Sequence, residues 1–139
     1  MRPVLVDSNV LLDLATDDPR WAAWSLSSLE RLAETSILMI NAVVYAEVSV
    51  GFDRIEALDA ALPPDLFRRE ELPYEAAFLA GKCFLRYRRG GGVRSAPLPD
   101  FFIGAHAAVA GYRLLTRDAA RYRTYFPRLE LIAPSSRAR

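Results

Sequence analysis

The sequence predicts an α/β protein built on a parallel sheet, and two features of the chain lead to this prediction. Short runs of β-branched and other apolar residues alternate with longer segments whose apolar residues recur at helical spacing. Strands that alternate with helices are typical of a parallel sheet, because right-handed crossover helices connect the strands and cover both faces. We expect residues 1–139 to form a single domain, since no linker or internal repeat divides them.

In the first half of the chain, apolar runs end at residues that can cap a helix. Val4–Val6 is a predicted strand, and Asp7 or Ser8 can cap the helix that follows it. Asn41 holds the same position after a second predicted strand, Ile37–Ile40. Further helices are predicted at Arg20–Glu34, Ala42–Val50 and Asp53–Leu62.

In the second half, the segment Leu98–Asp118 has the clearest pattern. Pro99 and Asp100 suit a helix start, and the nearly all-apolar helix that follows is expected to be buried. Gly111 can end this helix, and Arg113–Thr116 is a predicted strand. The other predicted elements are a strand or linker at Phe67–Leu72, helices at Pro73–Arg88 and Ala119–Tyr125, and a last strand at Leu129–Ile132.

Four acidic residues from remote parts of the chain are predicted to meet at one edge of the sheet. Asp7 and Asp118 follow predicted strands at their carboxyl ends, where parallel sheets bind ligands. Asp100 begins a helix of about eleven residues, which spans roughly 16 Å, and the strand that follows runs about 13 Å in the opposite direction. The start of the helix and the end of the strand should therefore lie at the same edge, which places Asp100 near Asp118. Glu47 lies about 9 Å along a helix that leaves this edge, and its side chain leans toward the helix start.

An acidic pocket of this kind favours a hard dication. Carboxylates that approach one another raise each other's pKa unless a cation lies between them. Oxygen ligands without Cys or His favour Mg²⁺ or Mn²⁺ and disfavour zinc. Each acid also has an ordinary explanation as a helix cap or a solvent-facing side chain, so at this point a shared metal site is one of two interpretations.

Composition and motifs exclude several other classes of protein. Cys83 is the only cysteine, so no internal disulfide can form, and Asp7 and Asp13 interrupt the N-terminal apolar runs, unlike a signal peptide. No apolar run approaches the ~20 residues of a membrane span, and we expect a cytoplasmic protein. The only histidine, His106, is expected to pack rather than to catalyse. The nucleotide-binding motifs GxGxxG and GxxxxGK[ST] are absent.

The net charge of +1 hides an asymmetry between the two halves of the chain. Residues 1–67 contain four basic and eleven acidic residues, whereas residues 68–139 contain fourteen basic and six acidic ones. Seventeen of the 18 basic residues are Arg, whose forked guanidinium suits phosphate groups. The basic half can therefore face a polyanion, although a solvated Arg-rich surface explains the charge equally well.

Four segments of the chain resemble PIN domains, and most closely the VapC family of bacterial toxins. In the family's order they are VDSNVLLD with Asp7, NAVVYAEVSVG with Glu47, LPDFFIGAHA with Asp100, and LLTRDAARYRTYFP with Thr116 and Asp118. The resemblance implies a PIN-like three-layer α/β/α sandwich with a central parallel sheet. It also implies a Mg²⁺- or Mn²⁺-dependent ribonuclease, a homodimer, and a small antitoxin protein that covers the active site.

The resemblance further implies roles for individual residues. The catalytic and metal-binding acids would be Asp7, Glu47, Asp100 and Asp118, the last at the position where the family varies most. Residues at positions that commonly support the acids by hydrogen bonding are Ser8, Asn9 and Thr116. Apart from the resemblance, the candidates for contacts with the RNA backbone are Arg88, Arg89, Arg94, Arg117 and Arg121, for which a role as surface solubility residues is an equal alternative.

The predicted reaction is hydrolysis of RNA phosphodiester bonds by in-line displacement, with one or two divalent ions activating water and stabilising the leaving oxygen. Two alternatives remain open. One is a non-catalytic interaction module whose acids receive arginines from a partner protein, with a groove near Trp21, Trp24 and Phe52. The other is a metal-dependent DNA nuclease or phosphatase with the same pocket. The sequence does not identify the RNA.

Overall fold

The computed structural model describes residues 1–95 and 98–135, and it shows a five-stranded sheet flanked by helices. The strands are β1 Val4–Val6, β2 Leu38–Ile40, β3 Phe67–Arg69, β4 Arg113–Leu115 and β5 Leu131–Ile132. Their order is β3-β2-β1-β4-β5, and every neighbouring pair is parallel. The predicted α/β/α sandwich with a central parallel sheet is confirmed. The predicted single domain also includes 96–97 and 136–139, which lie outside the described residues.

Seven helices occur in the described part of the chain, and none of them is long and apolar enough to cross a membrane. They are α1 Ser8–Ala15, α2 Ala22–Ala33, α3 Ala42–Ser49, α4 Ile55–Ala61, α5 Tyr74–Arg89, α6 Pro99–Ala110 and α7 Ala120–Tyr125.

The observed elements differ from the predicted ones mainly at their ends. The helix predicted from Arg20 begins at Ala22, because Asp18 Oδ1 accepts hydrogen bonds from the backbone N–H groups of Arg20 and Trp21 and holds them in a turn. The segment Phe67–Leu72 is a strand only over its first three residues, which pair with β2. The last strand begins at Leu131.

The pairing of the middle strand β1 with β4 places two polar residues at the carboxyl edge of the sheet. All three residues of β1 are fully buried, as expected of a parallel strand covered on both faces. In the register of β1 and β4, Val6 lies opposite Leu115. Since Asp7 follows Val6 and Thr116 follows Leu115, these two polar residues lie side by side at the carboxyl edge of the sheet.

Most of helix α6 is buried, as its apolar sequence predicts, and only residues near its ends, such as Ala108 and Val109, are exposed. Phe101, Ile103, Ala105 and Ala107 are all 0% exposed. Gly111 ends the helix in the left-handed conformation at φ 75°, which glycine adopts without steric cost. The chain then reverses into β4, so the first turn of α6 and the carboxyl end of β4 come to the same edge of the molecule.

Gly104 allows α6 and α7 to pack closely together. A Cβ atom at this position would lie 2.6 Å from Phe126 Cδ2 and 3.0 Å from Tyr122 Cδ1. Both rings are buried, with Phe126 6% and Tyr122 1% exposed. Any side chain at position 104 must therefore displace two buried rings.

We expect Gly104→Ala to lower the free energy of unfolding by about 1–3 kcal/mol, the usual cost of overpacking. This loss exceeds the gain of about 1 kcal/mol that alanine brings in helix propensity. Gly81→Ala in α5 is the matched control, because among the described residues no atom outside its own helix backbone and chain neighbours lies within 4 Å of its added Cβ. The control should gain about 0.5–1 kcal/mol. Urea unfolding measures both, and equal stabilisation of the two variants would contradict the packing argument.

Candidate active site

Asp7 lies at the carboxyl end of β1, and its side chain is almost fully buried, with the residue 2% exposed. Oδ1 accepts a hydrogen bond from the backbone N–H of Ser8 at 2.8 Å, so Asp7 caps α1. Oδ2 accepts hydrogen bonds from Thr116 Oγ1 at 2.9 Å and from the Tyr122 hydroxyl at 2.8 Å. Burial raises the pKa of Asp7 to about 6, against the opposing effect of these donors.

Glu47 joins Asp7 through the hydroxyl of Ser8. Ser8 Oγ donates a hydrogen bond to Glu47 Oε1 at 2.8 Å. Asn41 Oδ1 accepts a hydrogen bond from Val44 N at 2.9 Å, as predicted for the cap of α3, and this sets the start of the helix that carries Glu47. Burial raises the pKa of Glu47, and the charge of Asp100 raises it further.

Asp100, in the first turn of α6, interacts electrostatically with all the other predicted acids. Its charge raises the pKa of both Asp7 and Glu47, and the charge of Asp118 raises the pKa of Asp100 in turn. Burial is the largest cause of the raised pKa of Asp100. Arg121 opposes this shift, with its Nη1 atom 3.5 Å from Asp100 Oδ2. Asp100 therefore lies close enough to Asp7, Glu47 and Asp118 for their charges to interact with its own, and Asp118 is the exposed member of the four.

The residues predicted to support the acids form one hydrogen-bonded group. Thr116 Oγ1 donates to Asp7 and accepts from Asn9 Nδ2 and the backbone N–H of Asp118, both at 3.1 Å. Asn9 Oδ1 accepts from the backbone N–H of Arg117 at 3.3 Å. These bonds tie the loop after β4 to the start of α1. The functional role of this group stays a prediction.

Tyr122 belongs to this pocket, although the sequence analysis did not single it out. Its hydroxyl donates to Asp7 and lies 3.4 Å from Asp100 Oδ1. Burial raises the pKa of Tyr122 well above its ordinary value, and the charges of Asp7 and Asp100 add to the shift, so the hydroxyl keeps its proton. The only signal in the sequence is a tyrosine one helical turn after Asp118, which equally suits a core residue.

The donor set of the pocket fits a hard dication. Its candidate ligand atoms are carboxylate oxygens, whereas His106 and Cys83 are buried elsewhere. The ring of His106 is hydrogen-bonded through Nδ1 to Asn41 Nδ2 at 3.0 Å. Across residues 1–95 and 98–135, no three His, Cys, Asp or Glu side chains are already arranged to hold an ion. Burial is the largest cause of the raised pKa values of Asp7, Glu47 and Asp100, and the smaller contribution from neighbouring carboxylates is the repulsion that a dication relieves.

The predicted RNA-binding arginines occupy different surroundings. Three of them are exposed near the carboxyl end of α5, namely Arg88, Arg89 and Arg94. Arg121 lies beside Asp100 at the pocket. Arg117 instead contacts the buried Asp13, with Nε 3.0 Å from Oδ1 and 2.9 Å from Oδ2. A contact between Arg117 and RNA would have to break this ion pair.

Asp13 is a buried acid that the sequence analysis did not connect with Arg117. It is 2% exposed, and its Oδ2 also accepts a hydrogen bond from Ser25 Oγ at 2.8 Å. Since Arg117 lies between Thr116 and Asp118, this pair anchors the loop that carries both of them. Asp13 therefore links α1 and α2 to one side of the acidic pocket.

The aromatic residues proposed for a partner groove are only partly available. Trp24 and Phe52 pack against the core. The ring of Trp21 has Arg20 Cζ 5.1 Å and Arg117 Cζ 5.7 Å from its centroid, and it meets Trp24 edge to face at 6.2 Å. The role of these residues in binding a partner stays a prediction.

Comparison with known proteins identifies the family. A model of the PIN domain matches residues 4–127. The chain belongs to the PIN-domain family. PIN domains are generally nucleases, so this membership supports a hydrolase that acts on nucleic acid. No curated protein matches this chain.

The PIN fold of this chain is similar to that of solved toxin–antitoxin structures. VapBC2 from Rickettsia felis, bound to a DNA fragment from its promoter, is 18% identical over 95% of this chain and 98% of that chain, with a TM-score of 0.71. VapBC-1 from nontypeable Haemophilus influenzae is 18% identical over 94% and 96%, with a TM-score of 0.68. A toxin–antitoxin complex from Klebsiella pneumoniae is 20% identical over 95% and 98%, with a TM-score of 0.67.

We expect Arg117→Met to lower the free energy of unfolding by about 3 kcal/mol, because it leaves Asp13 buried without a counter-ion. Arg123→Met is the control, since Arg123 is exposed on α7 and its loss should change stability by no more than about 0.5 kcal/mol. Urea unfolding at pH 7.5 measures both variants. Equal midpoints for the two would mean that the Asp13–Arg117 pair does not stabilise the fold.

Asp7→Asn is expected to stabilise the metal-free protein at high pH. The pKa of Asp7 rises from 3.8 to about 6 on folding, so its protonated form favours the folded state. The stabilisation that the protonated carboxyl gives to the folded state is complete below a pH of 3.8 and is lost as the pH rises through about 6. A shift of about two units corresponds to about 3 kcal/mol. In EDTA at pH 8 the variant should therefore be more stable by about 1–3 kcal/mol, with the gain disappearing toward pH 4.

Thermal or urea unfolding between pH 4 and 8 tests this expectation. Asp53→Asn is the control, because Asp53 is exposed and its neutralisation should have a small effect at every pH. An Asp7→Asn protein less stable than the wild type at pH 8 would show that the Asp7 carboxylate is not a source of strain.

Proposed function

We propose that this PIN domain is a Mg²⁺- or Mn²⁺-dependent endoribonuclease of the VapC type, acting as the toxin of a toxin–antitoxin pair. The observation that carries the proposal is how two hydroxyls link three of the acids at the carboxyl edge of the sheet. Ser8 Oγ is 2.8 Å from Glu47 Oε1 and 3.5 Å from Asp7 Oδ1, and the Tyr122 hydroxyl is 2.8 Å from Asp7 Oδ2 and 3.4 Å from Asp100 Oδ1. Membership of the PIN-domain family and the similarity of the fold to VapBC structures support it.

In this proposal the four acids hold the ion, and their neighbours hold the acids in place. Ser8 positions Glu47, while Thr116 and Asn9 position Asp7 and the loop after β4. When bound, the ion supplies a Lewis acid that lowers the pKa of the attacking water and stabilises the leaving oxygen. Without positive charge, the carboxylates of the pocket repel the phosphate of the RNA.

The surfaces around the pocket suit the proposed partners. Arg88, Arg89 and Arg94 are exposed and Arg121 is partly exposed, which suits contacts with RNA phosphates. Arg88 Nη1 already donates to the backbone carbonyl of Arg94 at 2.6 Å, and Arg121 neighbours Asp100, so these two would have to share or exchange their partners. The inhibitory partner in this proposal is a small antitoxin that covers the acidic pocket. The protein would act in the cytoplasm.

The exposed face of α5 supports a homodimer. Tyr74, Phe78 and Leu85 are 90%, 67% and 41% exposed, and their spacing places them along one side of this helix. An apolar stripe of this kind is usually covered by a partner. A second copy of the chain is the partner that we propose.

Metal-dependent cleavage of RNA tests the proposed function. The purified chain should cleave RNA with Mg²⁺ or Mn²⁺ and lose this activity in EDTA. Asp100→Asn should lower the rate by more than about 100-fold, exceeding the usual effect of an outer-shell partner of a metal site. Glu75→Gln is the control, because Glu75 is an exposed acid in the first turn of α5 and should be dispensable.

The same assay separates the alternatives. Cleavage of single-stranded DNA or of small phosphate esters, with RNA left intact, would replace the ribonuclease by another phosphodiesterase or a phosphatase. Stoichiometric binding of a co-encoded small protein, together with no metal-dependent cleavage of any substrate, would favour the non-catalytic module.

A further inference from the structure

We propose that Tyr122 is a positioning residue for the metal site, and that its hydroxyl orients Asp7 so that Oδ1 faces the ion. This inference rests on the proposed function, because it assumes that Asp7 is a metal ligand. Tyr122 lies on α7 and is 1% exposed, and its hydroxyl is 2.8 Å from Asp7 Oδ2. The same hydroxyl lies 3.4 Å from Asp100 Oδ1.

The two oxygens of Asp7 have different numbers of hydrogen-bond donors. Oδ2 accepts from Thr116 at 2.9 Å and from Tyr122 at 2.8 Å, which uses both of its lone pairs. Asn9 Nδ2 is 3.4 Å from Oδ2 and makes its shorter bond, at 3.1 Å, to Thr116. Oδ2 therefore has no lone pair left for a metal ion.

Oδ1 of Asp7 keeps a lone pair that no described donor takes. It accepts from the backbone N–H of Ser8 at 2.8 Å. The hydroxyl of Ser8 lies 3.5 Å from Oδ1 but gives its proton to Glu47 Oε1 at 2.8 Å. Because a hydroxyl has one proton, Ser8 Oγ cannot serve both carboxylates fully. The hydrogen bonds therefore leave Oδ1 as the oxygen that can bind a cation.

The position of the Tyr122 hydroxyl is set by packing rather than by the acids alone. The absence of a side chain at Gly104 brings the ring of Tyr122 against α6, where an added Cβ would lie 3.0 Å from Cδ1. The ring is almost fully buried and has little room to rotate. A donor on such a ring restricts the plane of the Asp7 carboxylate more strongly than a mobile surface side chain would.

The distances indicate that the hydroxyl of Tyr122 bonds mainly to Asp7 and is not shared equally between Asp7 and Asp100. At 2.8 Å the bond to Asp7 has the ordinary length for O–H···O, whereas 3.4 Å to Asp100 is too long for a strong bond. If the two carboxylates shared this hydroxyl equally, its hydrogen bonds would stabilise the metal-free pocket and would have to break when the ion binds. A hydrogen bond to Asp7 Oδ2 alone can remain when the ion binds, because the ion would bind the other oxygen, Oδ1.

Binding of Mn²⁺ and of Mg²⁺ to the full chain without RNA tests the proposal. Calorimetry at pH 8 is suitable, because Asp7, with a pKa of about 6, is then ionised. Tyr122→Phe removes the hydroxyl and keeps the ring, and we expect its Kd to rise about 10–100-fold. Tyr125→Phe is the matched control on the same helix, because the ring of Tyr125 packs on Phe101 with centroids 4.9 Å apart. This control should keep the affinity of the wild type.

A Tyr122→Phe protein that is folded and binds both ions as tightly as the wild type, or more tightly, would overturn the inference and leave the proposed nuclease intact. A wild-type chain that binds neither ion would overturn both. Equal losses of affinity in the Tyr122→Phe and Tyr125→Phe proteins would indicate a packing effect of α7, and would also overturn the inference.

A second pair of variants covers the case in which Tyr122→Phe does not fold. Replacing Tyr122 by 4-methylphenylalanine keeps the volume of the side chain and removes the donor, whereas 4-aminophenylalanine keeps a donor. Only the amino variant should regain the affinity of the wild type. Equal affinities for the two variants would show that the shape of the ring, rather than its hydrogen bond, supports the metal site.

Discussion

The hydrogen bonding of the Asp7 carboxylate is the interaction on which the rest of the site depends. Asp7 is buried directly after the middle strand of the sheet, whose three residues are fully buried. Hydrogen bonds from Ser8, Thr116 and Tyr122 compensate this burial only in part, and the pKa remains raised to about 6. The donors come from α1, the loop after β4 and α7, so the arrangement requires that these remote parts of the chain fold together.

Two buried acids in the first part of the chain show how a structural acid differs from a candidate metal ligand. Asp13 lies on α1, is as buried as Asp7, and has the guanidinium of Arg117 across both of its oxygens. Asp7 caps the same helix and is surrounded by neutral donors and by the charge of Asp100. The charge of Asp13 is thus balanced by Arg117, whereas no ion pair to Asp7 occurs among the described residues, and in the proposed function a metal ion would balance its charge.

The balance of charge also connects the pocket with the proposed ribonuclease. Arg121 lies 3.5 Å from Asp100 and opposes the rise in its pKa, so a cationic side chain already neighbours the acids. Nearby arginines suit RNA phosphates, but the pocket itself repels them until positive charge enters. In this view the acids provide the affinity for the ion, and the ion provides the affinity for the scissile phosphate.

The sequence by itself determined the succession of strands and helices along the chain and the positions of the acids after the strands. It could do so because hydrophobic periodicity and capping residues are local properties of the chain. It therefore indicated the parallel sheet, the buried helix α6 and the gathering of Asp7, Glu47 and Asp100. Only the tertiary structure decided which partners the polar groups take. Tyr122 reaches Asp7 over 115 residues of sequence, and Arg117 reaches Asp13 over 104. Such pairs depend on how helices pack and on which atoms remain unpaired, which no local pattern encodes.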